Sequence, residues 1–352
     1  MIEEMRPLLI VPGLFGTEIV DDDGHAIWGP LERLYSGPPI GELPTPRGRA
    51  GRVMEGISFG PPSLGLVAYD ISGALRRALE RAGYKLGATM SFFGYDWRQR
   101  IVGVGPALAA EIRRLAEISG GPIDLLGLSN GGLTLRAAFA ADRTLPVDRV
   151  VLSGAPLAGS VETLTVLHAG FQFAPLGRTV TPAEFVSCPG SMDSIPSPES
   201  AAFLDATGVE NDLYDVTTWR RLGLSVFAAQ PGGPLPGPHW RDIVTERLRA
   251  LRETWQVLDG AAAPRKLVCI CGEGLPTQVR IVVLGGRVVL PGEGKLRGLP
   301  AEALAEGDGT VSLASARAWT GARPEVIRIP VRRHRDVVRA PQAFAAMLEG
   351  LR

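Results

Sequence analysis

The stretch Ile123-Asp124-Leu125-Leu126-Gly127-Leu128-Ser129-Asn130-Gly131-Gly132-Leu133 decides the fold. Ile123 to Leu126 is a short apolar run of strand length, and Leu133–Ala141 carries a helical pattern. Between them, residues 127–131 match G-x-S-x-G. A serine on such a sharp strand-to-helix turn needs small neighbours, because the two backbones must approach closely. The turn lifts Oγ above the sheet edge at the start of a helix, where free N–H groups and positive potential gather. Ser129 is therefore the candidate nucleophile. The competing reading is a glycine-rich turn whose serine only caps the helix.

The same alternation extends outward. Leu8–Val11, Ala88–Phe93, Arg149–Leu152, Leu267–Ile270 and Val326–Val331 read as strands. Ile71, Leu75, Ala78 and Leu79 have amphipathic helical spacing, and a helix is expected over Leu108–Ile118 and another over Pro341–Leu351. Alternating strands and helices predict a mostly parallel sheet with helices on both faces. The pattern breaks over residues 21–66 and 157–260. These are read as an irregular early insertion and a cap or lid, with pieces Pro182–Val186 and Trp240–Leu258 helical. The core is then residues 1–156 and 261–352. Gly285-Gly286, between Val279–Leu284 and Arg287–Leu290, predicts a two-residue hairpin.

Composition bounds the function classes. The chain has 352 residues, 45% hydrophobic, enough for a large core. Its 37 basic and 37 acidic residues balance, which argues against nucleic acid as partner. The N-terminus MIEEMRPLLIVPG lacks the charged-then-apolar layout of a secretion signal, and Leu8–Val11 is too short to span a bilayer. A cytoplasmic protein without stable membrane insertion is the expectation, with transient surface contact open. Three cysteines are few for a disulfide framework. Cys269 and Cys271 read as small core residues on one strand face. A metal pair is the alternative, with no His or Cys cluster to complete it.

A serine hydroxyl needs a base. The histidines are His25, His168, His239 and His334. In the fold order serine, acid, histidine, His25 comes too early, and His168 and His239 fall in the central insertion. His334 follows the last strand and is the candidate base; a surface position in the run Arg332-Arg333-His334-Arg335 is the alternative. Asp308, in Gly307-Asp308-Gly309, is the candidate acid, expected after the penultimate core strand, or else a cap for a helix over Ser312–Trp319. An oxyanion hole needs two N–H donors. Asn130, following the nucleophile, supplies one from its backbone. Leu14, in Pro12-Gly13-Leu14-Phe15-Gly16 after the first strand, is the candidate for the other, with Phe15 as alternative. Trp28, Phe59, Phe92, Phe93, Phe171 and Phe173 are candidates for an apolar acyl pocket, or plain core residues.

Taken together, these segments resemble the lecithin:cholesterol acyltransferase family, which includes lysosomal phospholipase A2 and bacterial relatives. PLLIVPGLFGTEI over residues 7–19 resembles the family's N-terminal segment, and Tyr95-Asp96-Trp97-Arg98 its YDWR segment. GLSNGG resembles its nucleophile elbow, with Leu128 where His is usual and Asn130 where Met or Leu is usual. GEGLPT over 272–277 and GDGTV over 307–311 resemble two further stretches, the second carrying the acid. Leu213-Tyr214-Asp215 with Trp219-Arg220-Arg221 resembles bacterial members. The cysteine pair that closes a lipid-binding loop in animal members is absent. The resemblance implies an α/β-hydrolase fold and acyl-ester hydrolysis, esterase, lipase or phospholipase in kind, or acyl transfer to an alcohol, with no cofactor. The YDWR residues read as a structural cluster rather than a substrate contact. A non-catalytic binding protein on the same scaffold is the remaining rival.

Overall fold

The computed structural model describes residues 5–29, 48–54, 56–58, 67–70, 72–172, 179–228, 239–290 and 298–352. At its centre lie six strands: β1 Leu8–Val11, β2 Met90–Phe92, β3 Ile123–Leu128, β4 Val147–Ser153, β5 Lys266–Glu273 and β6 Glu325–Pro330. They pair in the order β6-β5-β4-β3-β1-β2, every pair parallel. Both faces of a parallel sheet are covered by its crossovers, so successive strand residues should all be buried, to alternate sides. They are. Leu9, Val11, Leu125, Val150, Leu152, Cys269 and Cys271 join one apolar cluster. Leu8, Ile10, Leu126, Leu128, Val151, Val268 and Ile270 join another.

The helices follow from this demand. α1 Gly73–Arg81 sends Leu75 and Leu79 into the second cluster. α2 Ile101–Ser119 and α3 Asn130–Ala141 cover the first face, with Ile101, Leu108, Ile112, Leu133 and Leu135 buried there. α4 His239–Asp259 adds Val244, Leu248, Leu251, Trp255 and Leu258 to that cluster, although its sequence lies within the 157–260 stretch. The short α5 Arg335–Arg339 and the closing α6 Pro341–Gly350 complete the second face through Val337, Ala343, Ala346 and Met347.

The α2 helix begins seven residues before the expected Leu108 and runs through Gly103, Gly105 and Pro106. Local propensity opposes it, and packing overrides propensity. A Cβ at Gly105 would lie 2.6 Å from the Ala137 carbonyl oxygen, so α2 and α3 touch backbone to backbone there. At Gly103, which faces solvent, a Cβ would meet nothing within 4 Å.

Away from the central sheet, strands Arg280–Leu284 and Arg287–Val289 form the expected hairpin, with Gly285 and Gly286 both at positive φ. The first of these pairs in parallel with Ala202–Asp205, so one small sheet joins the 157–260 stretch to the chain after β5. The expected helix over Ser312–Trp319 is only a 3₁₀ turn, Ser315–Arg317. Residues 231–238, PGGPLPGP, whose prolines and glycines read as a loop, lie outside the described residues.

At the start of α2 the Ile101 N–H donates to Asp193 Oδ2 at 2.7 Å. This bond favours the carboxylate, but full burial outweighs it and pushes the Asp193 carboxyl up to about 7. The native state therefore holds a proton between about pH 4 and 7 that the unfolded chain releases, so stability falls as pH rises through that window. Asp193→Asn should flatten this dependence, by up to about 1.4 kcal/mol per pH unit, in urea titrations between pH 4.5 and 7.5. A wild-type slope retained in the variant would refute the assignment. For the two helix glycines, opposite signs are expected. Gly103→Ala should raise the unfolding free energy from urea titration by up to about 1 kcal/mol, and Gly105→Ala should lower it by about 1–3 kcal/mol.

Candidate active site

In a parallel sheet every strand's carboxyl end reaches the same edge. The chain crosses from β1 to β2 on one side and to β3 on the other, and such a switch point opens a crevice at that edge. The loops after β1 and β3 both end there. Ser129 directly follows β3 with φ 49° and ψ −122°, a conformation rare for any residue with a side chain. Its N–H donates to the Ser153 carbonyl at 2.8 Å, which ties the turn to β4. Missing Cβ atoms make the turn possible. A Cβ at Gly127 would sit 2.8 Å from Leu135 Cδ1 and 2.9 Å from Leu152 Cδ2. A Cβ at Gly131 would collide with the carbonyl oxygens of Val11 and Pro12.

The base and acid candidates arrive from later segments. His334 caps α5, and its Nε2 lies 3.0 Å from Ser129 Oγ. Its ring stands where Gly154 leaves room, since a Cβ there would be 3.1 Å from His334 Cε1. Ser153 Oγ donates to the Val337 carbonyl at 2.6 Å and so holds α5 against β4. On the other side of the imidazole, Nδ1 lies 2.7 Å from Asp308 Oδ2. Asp308 is 1% exposed. Its Oδ1 accepts N–H bonds from Thr310 at 2.9 Å and Val311 at 2.7 Å. The carboxylate thus closes its own turn with one oxygen and meets the imidazole with the other.

The route to Asp308 differs from the expected one. The residue follows a short strand outside the central sheet, Leu304–Gly307, and not β5 itself. That strand pairs antiparallel with Leu275–Gln278, which continues from β5. Thr277 Oγ1 accepts the Gly309 N–H at 2.9 Å and clamps the turn. Gly272 clears the approach, as a Cβ there would be 2.6 Å from Asp308 Cβ. Thr277, Gly272 and Gly154 escaped residue-by-residue reading. Two of them lie in the GEGLPT stretch, which motif resemblance alone had marked.

The loop after β1 lies beside the serine turn. A Cβ at Gly13 would be 3.3 Å from Ser129 Cβ and 3.8 Å from the Asn130 nitrogen. Gly16 N–H donates to the Gly13 carbonyl at 3.1 Å, a tight turn with Leu14 and Phe15 at its corners. Phe15 adopts φ 67°, held there by aromatic packing. Its ring stacks on Phe171 at 5.7 Å and meets Trp97 edge-on at 4.8 Å and Trp28 at 5.2 Å. Trp28 Nε1 donates to the Phe15 carbonyl at 3.2 Å. Of the aromatic candidates, Trp28 and Phe171 reach this cluster. Phe93 packs on the same apolar face, Phe92 packs on the other, and Phe59 and Phe173 lie outside the described residues. Phe15, read from sequence only as an alternative oxyanion donor, and Trp97, read only as part of the YDWR segment, were not among the pocket candidates; a positive φ leaves no mark in composition.

The remaining candidates lie elsewhere. His25 is exposed beside Asp21, 3.6 Å away. His168 Nδ1 accepts the Ser225 N–H at 3.1 Å, and burial lowers its basicity. His239 opens α4 against Trp240. Cys188, Cys269 and Cys271 are all buried free thiols, and burial pushes Cys271 up to about 11. Arg98 pairs with Asp96 through two 2.9 Å bonds, both side chains buried. Trp97 Nε1 donates to the Thr17 carbonyl at 3.0 Å.

No protein-family model and no curated protein matches the sequence. Among solved structures, the chain is similar to one in the crystal structure of the Tle4–Tli4 complex, at 15% identity and a TM-score of 0.60, covering 98% of each chain. The mature Bacillus licheniformis lipase BlEst2 aligns at 13% identity and a TM-score of 0.44, over 99% of this chain and 93% of that one. A Paleococcus ferrophilus monoacylglycerol lipase aligns at 14% identity and 0.34, over 80% and 89%. The first of these, at a TM-score of 0.60, speaks to fold alone. With its parallel β6-β5-β4-β3-β1-β2 sheet, helices on both faces and a strained strand-to-helix serine turn at the carboxyl edge, the chain has the α/β-hydrolase fold.

Proposed function

We propose that the chain is a serine hydrolase that cleaves acyl esters, lipid-like ones foremost, through an acyl-enzyme. One observation carries this reading: the unbroken hydrogen-bond chain Ser129 Oγ, His334 Nε2, His334 Nδ1, Asp308 Oδ2. In the proposed reaction His334 Nε2 takes the Ser129 proton as Oγ attacks the ester carbonyl. Asp308 accepts from Nδ1, fixes the tautomer and stabilises the imidazolium. The backbone N–H groups of Leu14 and Asn130 receive the oxyanion. Collapse breaks the ester C–O bond, and the alcohol leaves with the proton from Nε2. Water, deprotonated by the same imidazole, then releases the acid and restores Ser129. The chemistry calls for no metal or organic cofactor.

The apolar character of the substrate rests on the loop beside Ser129. Leu14, Phe15 and Phe171 are partly exposed apolar side chains there. Residues 157–228 supply Phe171 and Phe185 to the aromatic cluster, the contribution expected of a covering segment. No described helix is long and apolar enough to cross a membrane; transient contact with a lipid surface belongs to the proposal. Kinship with the lecithin:cholesterol acyltransferase family belongs to the same proposal, supported by the work Thr277 and Trp97 do within their motifs.

A fluorophosphonate probe should label wild type at Ser129 and leave Ser129→Ala unlabelled. Equal labelling of the two, or an unlabelled wild type, would remove the enzyme reading. His334→Gln and Asp308→Asn should each lower kcat by at least about a thousandfold on a chromogenic ester. A panel of esters differing in chain length, run with and without an added alcohol, should show faster turnover for longer chains. Its products, free acid or new ester, identify the acceptor. A flat chain-length profile would contradict the lipid-like assignment.

A further inference from the structure

The phenol of Tyr95 is 3% exposed and lies beneath the loop after β1. Tyr95 Oη donates to the Pro12 carbonyl at 3.2 Å, across 83 residues of sequence. Burial raises the phenol's pKa, so it keeps its proton and remains a donor. With that proton committed to Pro12, Oη can only accept from Asn130. The Asn130 amide accordingly turns its Nδ2 toward the phenol, at a long 3.5 Å. This orientation leaves Asn130 Oδ1 buried with no hydrogen-bond partner among the described residues. Such an orphan is costly, and an apolar side chain would fill the space without it.

These contacts converge on one peptide plane. In a trans peptide the carbonyl and the following N–H point in opposite directions. Fixing the Pro12 carbonyl on the core side fixes the plane as far as the Gly13 Cα, and the Gly16 N–H bond to the Gly13 carbonyl at 3.1 Å holds the next plane, whose N–H is that of Leu14. Gly13 in turn lies against the serine turn, within 3.3 Å of Ser129 Cβ if it carried its own Cβ. The Pro12 oxygen is also closely approached by Gly131, the second residue of α3. The phenol thus sets the direction of the chain just before Leu14, while Asn130 joins the same contact from the opposite wall of the proposed oxyanion hole. We infer that Tyr95 is a positioning residue that aims the Leu14 N–H at the oxyanion, with the Asn130 side chain as its support. The inference rests on the catalytic reading given above.

Tyr95→Phe keeps the ring and removes only the hydroxyl. Per site titrated with fluorophosphonate, kcat for an oxo-ester should fall about ten- to hundredfold, with KM within about twofold. The decisive readout is the kcat ratio between an oxo-ester and its thiono analogue. Sulfur accepts hydrogen bonds poorly, so this ratio measures the oxyanion donors. It should fall at least about fivefold in Tyr95→Phe, which a merely structural loss would not produce. A ratio and kcat within twofold of wild type would overturn the role of Tyr95. Should Tyr95→Phe fail to fold, Asn130→Ala carries the test, since it keeps the backbone N–H and removes the supporting amide. Its oxo/thiono ratio should fall about two- to fivefold, and an unchanged ratio would likewise overturn the inference. A wild type that turns over no ester would instead bring down the catalytic reading itself.

Discussion

α3 can begin where it does only because Gly131 has no side chain. The first turn of that helix presses onto the carbonyl oxygens of Val11 and Pro12 at the end of β1. A larger residue would push helix and strand apart, and two things would move together. The serine turn would lose its place above the sheet edge, and the loop after β1 would lose its position beside Ser129. The strain at Ser129, of order 1–3 kcal/mol for such a φ, is held by this contact and by the bond from its N–H to Ser153. Everything else at the carboxyl edge is arranged around that fixed point.

The surroundings follow the same logic of absent atoms. Gly154 vacates the volume that the His334 ring takes, and Gly272 the volume that Asp308 takes. Polar fastenings then hold each piece: Ser153 on α5, Thr277 on the acid turn, and the Thr310 and Val311 amides on the carboxylate. Three segments far apart in sequence are thereby brought into one hydrogen-bonded line without any covalent staple among the described residues. Order at the site comes from close packing backed by short bonds to backbone groups.

Much of this was legible in the sequence, for specific reasons. Apolar runs of strand length announced β1, β3, β4, β5 and β6, because a parallel sheet buries both faces and needs such runs. Gly285-Gly286 announced its hairpin, because both positions require positive φ. Ser129, His334 and Asp308 were singled out by turn chemistry and chain order, and the structure sets them within hydrogen-bond distance. Other features left no local signal. The early start of α2 defied helix propensity, because what allows it is a backbone contact with Ala137. The aromatic cluster around Phe15 joins residues scattered between positions 15 and 185, and only the fold brings them together. The helix over Ser312–Trp319, the alternative reading in which Asp308 is a cap, is only the 3₁₀ turn Ser315–Arg317.

The detour between β5 and Asp308 carries a consequence for how such a protein can diversify. The acid's position is set at the two ends of the detour, by the pairing of Leu275–Gln278 with Leu304–Gly307 and by the Thr277 clamp. Of the hairpin between those ends, Ile281, Val282 and Val283 are buried, while its tip, residues 284–287, is exposed. Lengthening that tip would redraw the surface there and leave the proton path in register. Natural variation can therefore remodel the outer architecture at this point while the chemistry stays constant.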